Sequence, residues 1–158
     1  MEKLYNEGLA KSIGLSNFTA SGIASVLAYA KVRPAINQIE IHPFLPQGPL
    51  IEYCQKENIL TVAYSHLGSQ VSTNKDLIAV AEKNGWTLAQ VLIAWGIARG
   101  YAVLPKSSNE SRIKGNAKLV RLSQEDMAAV DKVAEGRWSR FVNMKDTFGY
   151  DVWPEENK

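Results

Sequence analysis

Lys106, Ser107, Arg112 and Asn116 fall within one short stretch, LPKSSNESRIKGN, that runs from Leu104 to Asn116. Two cations and a hydroxyl at this spacing could hold a phosphate ester. An apolar run, residues 101–105, leads straight into Lys106, and a helix-like segment follows. The first backbone N–H groups of such a helix, near Asn109 to Ser111, have no intrahelical partner and form an intrinsic anion site. Arg112, about one turn in, can reach back with its guanidinium fork. The competing description is an ordinary strand-to-helix turn with a solvated basic face. Lys114 fits that description better. Lys106 and Ser107 fit the binding description better, because an apolar strand delivers them.

Three other apolar runs also end in polar residues. They give Ser16-Asn17-Phe18, then Asn37-Gln38-Ile39-Glu40-Ile41-His42-Pro43, then Tyr64-Ser65-His66-Leu67-Gly68-Ser69. Tyr64 is either core filler or a flat platform for a planar ring. Glu40 and His42 are two apart, so on a strand they share a face. They could act as an acid/base pair or as metal ligands. With only two histidines and no third ligand at metal spacing, a structural hydrogen bond is the better expectation. His66 reads as an exposed loop histidine.

The elements that must position these groups alternate. Strands are expected over residues 11–16, 35–42, 59–65 and 101–105, each rich in Ile, Val, Leu or Tyr. Helical patterns occupy residues 21–31, 50–58 and 87–99, the last with Leu88, Val91, Leu92 and Trp95 at i, i+3, i+4 and i+7. Thr87 with Gln90 fits a capping box, and Gly100 sits where a helix stops. Ser123 with Asp126 opens a further helix carrying Met127, Val130 and Ala134 on one face. Strands alternating with helices predict an α/β fold with a parallel sheet. In such folds, open or closed, ligands bind at the carboxyl ends of the strands. The four polar strand ends are therefore expected to share a binding rim. A chain of 158 residues suits an open sheet or about half of a barrel that takes roughly 250 residues, and composition does not separate the two.

The bulk properties narrow the partners. A net charge of +2 leaves no general nucleic-acid footprint, so any anion site is local. Cys54 is the only cysteine, which excludes an intramolecular disulfide and points to a reducing, cytoplasmic compartment. The start, MEKLYNEGLAK, lacks the apolar core of a signal peptide, and no apolar run approaches the ~20 residues of a membrane span.

Taken jointly, GLAKSIGLSNF, PAINQIEIHPFL, TVAYSHLGS and VLPKSSNESRIKGN resemble the second half of an aldo-keto reductase, and RFVNMKDTFGYDVWPEEN is similar to the tail of fungal members. The resemblance covers essentially the whole chain. It implies a partial (β/α)₈ TIM barrel: strands five to eight, flanking helices and a C-terminal tail from about residue 136 to 158, all in one partial domain over residues 1–158. It implies an NADP(H) cofactor held without a Rossmann motif. Ser16, Asn17 and Gln38 would bond the nicotinamide carboxamide, and Tyr64 would stack on the ring. Ser65, Leu67 and Ser69 would line the pyrophosphate path. Lys106, Ser107 and Arg112 would grip the 2′-phosphate, and Asn116 would contact adenine. There are departures: His66 replaces a usual proline, Gly115 a common glutamate, and Val71 falls near an often acidic position. The tail residues Trp138, Phe141, Phe148, Tyr150 and Trp153 would either wall a substrate pocket or pack the tail down.

The family's catalytic Asp, Tyr, Lys and His belong to the first four strands, and no matching motif occurs in these 158 residues. Tyr64 does not replace the missing acid, since its expected place is under the ring. The chain is thus expected to bind cofactor without reducing a carbonyl alone. Three readings follow: a truncated product of a carbonyl reductase acting on a small-molecule carbonyl, a half-barrel that pairs with a missing half or with itself, or a non-catalytic interaction protein.

Overall fold

The computed structural model describes residues 1–135, 137–143, 145 and 149–153, with the side chain of Ser69 outside that description. Among the described residues the chain forms two compact units, Met1–Ile39 with Gly48–Val62 and Val142–Lys158, and Glu40–Gln47 with Ala63–Phe141.

The first unit contains α1 (Glu2–Asn6), β1 (Leu15–Ser16), α2 (Ala20–Leu27), α3 (Gly48–Lys56) and most of β2 (Ile36–Glu40) and β3 (Leu60–Tyr64). β1 pairs in parallel with β2, with Leu15 opposite Asn37 and Ser16 opposite Gln38. The Leu60 N–H donates to the Ala35 carbonyl at 3.0 Å, which places β3 on the other side of β2. Thr19 caps α2 by accepting from the Gly22 N–H at 3.2 Å, satisfying one of the donors a helix start leaves open. Ile23, Cys54 and Ile59 form the buried centre, and Leu15, Phe18, Leu27, Leu50 and Tyr53 pack around it.

The second unit contains α4 (Ser69–Ser72), α5 (Lys75–Lys83), α6 (Leu88–Ala98), β4 (Ala102–Val103), α7 (Glu110–Asn116) and α8 (Gln124–Val133), together with the ends of β2 and β3. Ile41 N–H donates to the Tyr64 carbonyl at 3.3 Å, and Leu104 N–H to the Ala63 carbonyl at 3.0 Å. The central helix is α6, buried without interruption from Val91 to Gly96. Its expected capping box is present in both directions, Thr87 accepting from the Gln90 N–H and Gln90 accepting from the Thr87 N–H. Gly100 follows its end at φ +82°, the left-handed turn that glycine adopts without steric cost. Ser123 caps α8, as its spacing to Asp126 predicts.

The α/β reading and its parallel pairing hold, and each strand is shorter than expected. Of residues 11–16 only Leu15–Ser16 is laddered, although the Ile13 carbonyl already accepts from Ala35 N–H at 2.7 Å. The sequence reading gives no helix over Lys75–Lys83. The structure does, with Asn74 accepting from the N–H groups of both Asp76 and Leu77 at 3.0 Å. Leu77, Val80 and Ala81 form its buried face.

Candidate functional site

Of the residues singled out in sequence, Leu67, Lys106, Ser107, Arg112 and Asn116 line one groove of about 400 Å³ in the second unit. Leu88, Ala89 and Leu92 of α6 supply apolar lining, with Ser72 and Ser108 at its polar side. Among the described residues no carboxylate lines the groove. Lys106 and Arg112 are exposed, Ser107 is half-buried, and Asn116 is buried at the end of α7.

The turn before α7 is stitched by its own side chains. Ser107 Oγ accepts from the Asn109 N–H at 3.2 Å, and Asn109 Oδ1 accepts from the Arg112 N–H at 3.1 Å. The first of these bonds takes one of the donors expected to be open over Asn109 to Ser111. The side chains of Lys106, Ser107, Arg112 and Asn116 supply polar lining of the groove. Arg112 Nε reaches back to Ser107 Oγ at 3.4 Å, the folded-back orientation expected of it. Lys114 is paired with Glu110 at 2.6 Å, both widely exposed. It belongs to the solvated face, and such pairs add little stability.

Tyr64 ends β3 and Ser65 follows it. The Tyr64 side chain is half-buried. Ser65 sits at φ +54°, a conformation uncommon for a residue with a β-carbon. Its carbonyl accepts from Gly68 N–H at 2.9 Å, closing a tight turn through His66 and Leu67. Such backbone strain costs on the order of 1–3 kcal/mol and concentrates at ligand clamps. Ser69 opens α4, while its side chain lies outside the description.

Ser16, Asn17 and Gln38 lie in the first unit. Asn17 is the counterpart of Ser65, with φ +62°. Its N–H donates to the Gln38 carbonyl at 2.9 Å, and its side chain donates to Ser16 Oγ at 3.2 Å. A residue given no individual role in the sequence analysis holds this corner together. Asn37, fully buried, donates to the Phe18 carbonyl at 2.9 Å and accepts from the Phe18 N–H at 3.4 Å. Strand alternation carried the signal. Gln38 and Asn37 point to opposite faces, and a polar residue on the buried face must find partners.

Two histidine expectations had opposite outcomes. Glu40 and His42 form the expected structural pair, Nε2 to Oε1 at 2.9 Å with both side chains fully buried. Glu40 Oε1 also accepts from the Phe141 N–H at 2.6 Å, and Phe141 stacks on the His42 ring at 3.8 Å. Phe141 is therefore packing. Trp138 is exposed in the second unit, Tyr150 is exposed and Trp153 buried in the first, and Phe148 lies outside the described residues. His66, expected to be exposed, is instead buried at 1%. Its Nδ1 lies 2.9 Å from the Ile41 carbonyl oxygen and its Nε2 lies 2.6 Å from that of Leu92. Burial holds its pKa below the ordinary histidine value, against the pull of the two carbonyls. Where the resemblance has a usual proline, the imidazole fastens the loop. Among the described residues no cluster of three metal-ligating side chains occurs, and no helix is long and apolar enough to cross a membrane.

Residues 1–135 match the model of the aldo/keto reductase family. The chain is 55% identical over 165 residues to glycerol 2-dehydrogenase (NADP(+)) of Hypocrea jecorina, covering 99% of this chain and 52% of that protein. It is 42% identical over 138 residues to aldose reductase B of Dictyostelium discoideum, covering 84% and 44%. Among solved structures it superposes on the aldose reductase of Giardia lamblia with a TM-score of 0.92 at 34% identity, over 97% of this chain and 54% of that one. It also superposes on an aldo-keto reductase of Bombyx mori in complex with NADP, with a TM-score of 0.86 at 34% identity, over 98% and 54%. The chain spans about half the length of the curated relatives it matches. With a family model matched across residues 1–135 and a strand-end groove rich in cationic and polar groups, the chain belongs to the aldo/keto reductase family.

Proposed function

We propose that this chain supplies the cofactor side of an NADP(H)-dependent carbonyl reductase. One observation carries the reading: two cations, a hydroxyl and a buried amide line a single groove with no carboxylate among its described lining. The donor set fits a phosphate monoester, and the apolar lining from Leu88, Ala89 and Leu92 fits a planar base. Lys106, Ser107 and Arg112 would hold the 2′-phosphate and Asn116 the adenine, with Ser65, Leu67 and Ser69 along the pyrophosphate. Tyr64, at the strand end, would offer the nicotinamide its flat face. The carboxamide roles of Ser16, Asn17 and Gln38 rest on the resemblance alone.

A dinucleotide held there would supply the hydride for reducing an aldehyde or ketone carbon. The chain's own residues bind and orient the dinucleotide. The proton for the carbonyl oxygen has to come from a general acid, which the family resemblance places in the first four strands of the barrel. In this reading residues 1–158 are strands five to eight of that barrel, a single partial domain ending in a tail from about residue 136, and they bind cofactor without turning it over alone. The NADP(+) in the name of the Hypocrea jecorina relative and the NADP in the Bombyx mori complex support the choice of cofactor.

The test is a fluorescence titration of the purified chain with NADPH and with NADH. Saturable binding that prefers NADPH is expected. Lys106→Ala and Arg112→Ala should each weaken NADPH binding about tenfold to a hundredfold, since a hydrogen bond to a charged group contributes roughly 1.5–3 kcal/mol. NADH binding should change little. Equal affinity for the two nucleotides in the unaltered chain would sink the assignment of Lys106 and Arg112 to the 2′-phosphate.

A further inference from the structure

His66 has an arrangement that packing alone does not explain. Both ring nitrogens face main-chain carbonyl oxygens, Nδ1 that of Ile41 at 2.9 Å and Nε2 that of Leu92 at 2.6 Å. Carbonyls only accept. A neutral imidazole has one N–H, so it satisfies one carbonyl and turns a lone pair toward the other, whereas an imidazolium satisfies both. The site is built around this ring. Trp95 lies against it at 5.9 Å between centroids, and Tyr101 meets it edge-on at 5.9 Å. Gly96 leaves the room: a β-carbon there would come within 3.0 Å of His66 Cε1 and 2.7 Å of the Tyr101 ring.

The two carbonyls belong to different elements. Ile41 follows the end of β2, and Leu92 is on α6. His66 itself is the second residue of the turn closed by Ser65 and Gly68. Its neighbours on either side are Ser65, with its left-handed backbone, and Leu67, which lines the groove. We infer that His66 is the positioning residue of the 65–68 turn, a staple from that turn to β2 and α6 that fixes where Ser65 and Leu67 meet a bound dinucleotide. The dinucleotide part rests on the function proposed above; the staple does not.

The turn should therefore respond to the proton on His66. The groups facing the ring are few. From the segment just after β2 come the Ile41 carbonyl and His42, which is itself paired with Glu40. From α6 come the Leu92 carbonyl and Trp95, whose outer side carries Arg99 and Asp131. Tyr101, just before β4, presents its ring edge, and its phenol is pushed well above the usual tyrosine range by burial. No carboxylate touches His66 directly among its described contacts.

The experiment uses the full chain and two readouts. Imidazole NMR separates His66 from the one other histidine, His42, while amide signals of residues 65–68 are followed over the same acid titration. The expected result is that His66 titrates below the ordinary histidine range of about 6.5, and that the turn amides shift with its midpoint. His66→Gln retains an amide donor group but lacks the rigid ring that sets a nitrogen against each carbonyl at once, and should speed hydrogen exchange in residues 65–68 about tenfold, the size of one weakened hydrogen bond. It should abolish the coupled titration and weaken NADPH binding by a similar factor. Turn amides that ignore His66 in the unaltered chain overturn the inference, whether or not the variant folds, as does unchanged exchange in His66→Gln. If the turn follows His66 yet the unaltered chain ignores NADPH, the staple stands and the cofactor assignment falls.

Discussion

Removing the side chain of Asn37 would strip both backbone groups of Phe18 of their partners at once. A buried polar group left unpaired costs about 1–3 kcal/mol, so Asn37→Ala should lower the urea midpoint clearly, while Gln38→Ala, one residue on and half-buried, should lower it little. Equal effects would mean that the Phe18 corner is not held by this amide. The pair also shows where sequence reading stops. Both residues are polar, both end the same apolar run, and alternation alone says only that they face opposite ways. Choosing which face is buried needs the neighbouring strand. His66 poses the same difficulty more sharply. The carbonyls that hold it lie 25 and 26 residues away, so a loop histidine followed by leucine and glycine carried no sign of burial. The cation pair Lys106 and Arg112 was readable, because its two members lie six positions apart and a strand-to-helix turn brings them together locally.

At the scale of elements, α6 decides how closely the second unit packs. Its buried run includes Gly96, where a β-carbon would meet the Tyr101 ring at 2.7 Å and Val103 Cγ1 at 2.8 Å. Gly96→Ala improves helix propensity by about 1 kcal/mol, but overpacking a filled core costs typically 1–3 kcal/mol, and the rigid rings here leave little room to yield. The expected outcome is a lower thermal midpoint, measurable by circular dichroism. A rise would show that Tyr101 and His66 move aside cheaply. On the outer side of α6, Trp95 Nε1 donates to Asp131 of α8 at 2.8 Å, and Arg99 covers the same indole at 4.9 Å. Caps were the most readable feature of this layer. Thr87 with Gln90 and Ser123 with Asp126 act over three residues, and both are present. The strand ends were overextended in sequence because apolar character persists past the last laddered residue. The helix over Lys75–Lys83 was missed although Asn74 and the spacing of Leu77, Val80 and Ala81 announce it.

For the molecule as a whole, acid should act in two steps. Burial favours neutral His66 in the folded chain, so its contribution is present above the unfolded value of about 6.5 and is lost as pH falls through the lower folded value. Asp126 follows at lower pH. The Ser123 hydroxyl first, then Lys83 and Asn84, hold its carboxyl below the usual range, so its contribution is present above about 3.9 and disappears as pH falls through its folded value. Thermal midpoints measured across this range should fall in two stages, the first absent in His66→Gln and the second in Asp126→Asn. The chain's one thiol offers a way to watch the other unit meanwhile. Cys54 is fully buried beside Asn37 and Thr61, and burial pushes its pKa up, so neither access nor thiolate favours reaction with the folded form. A thiol reagent can label it only during an opening of the first unit, and labelling kinetics then act as a clock of that opening. The sequence thus comes with its own stopwatch: one cysteine, one rate, and no dye or second probe to subtract.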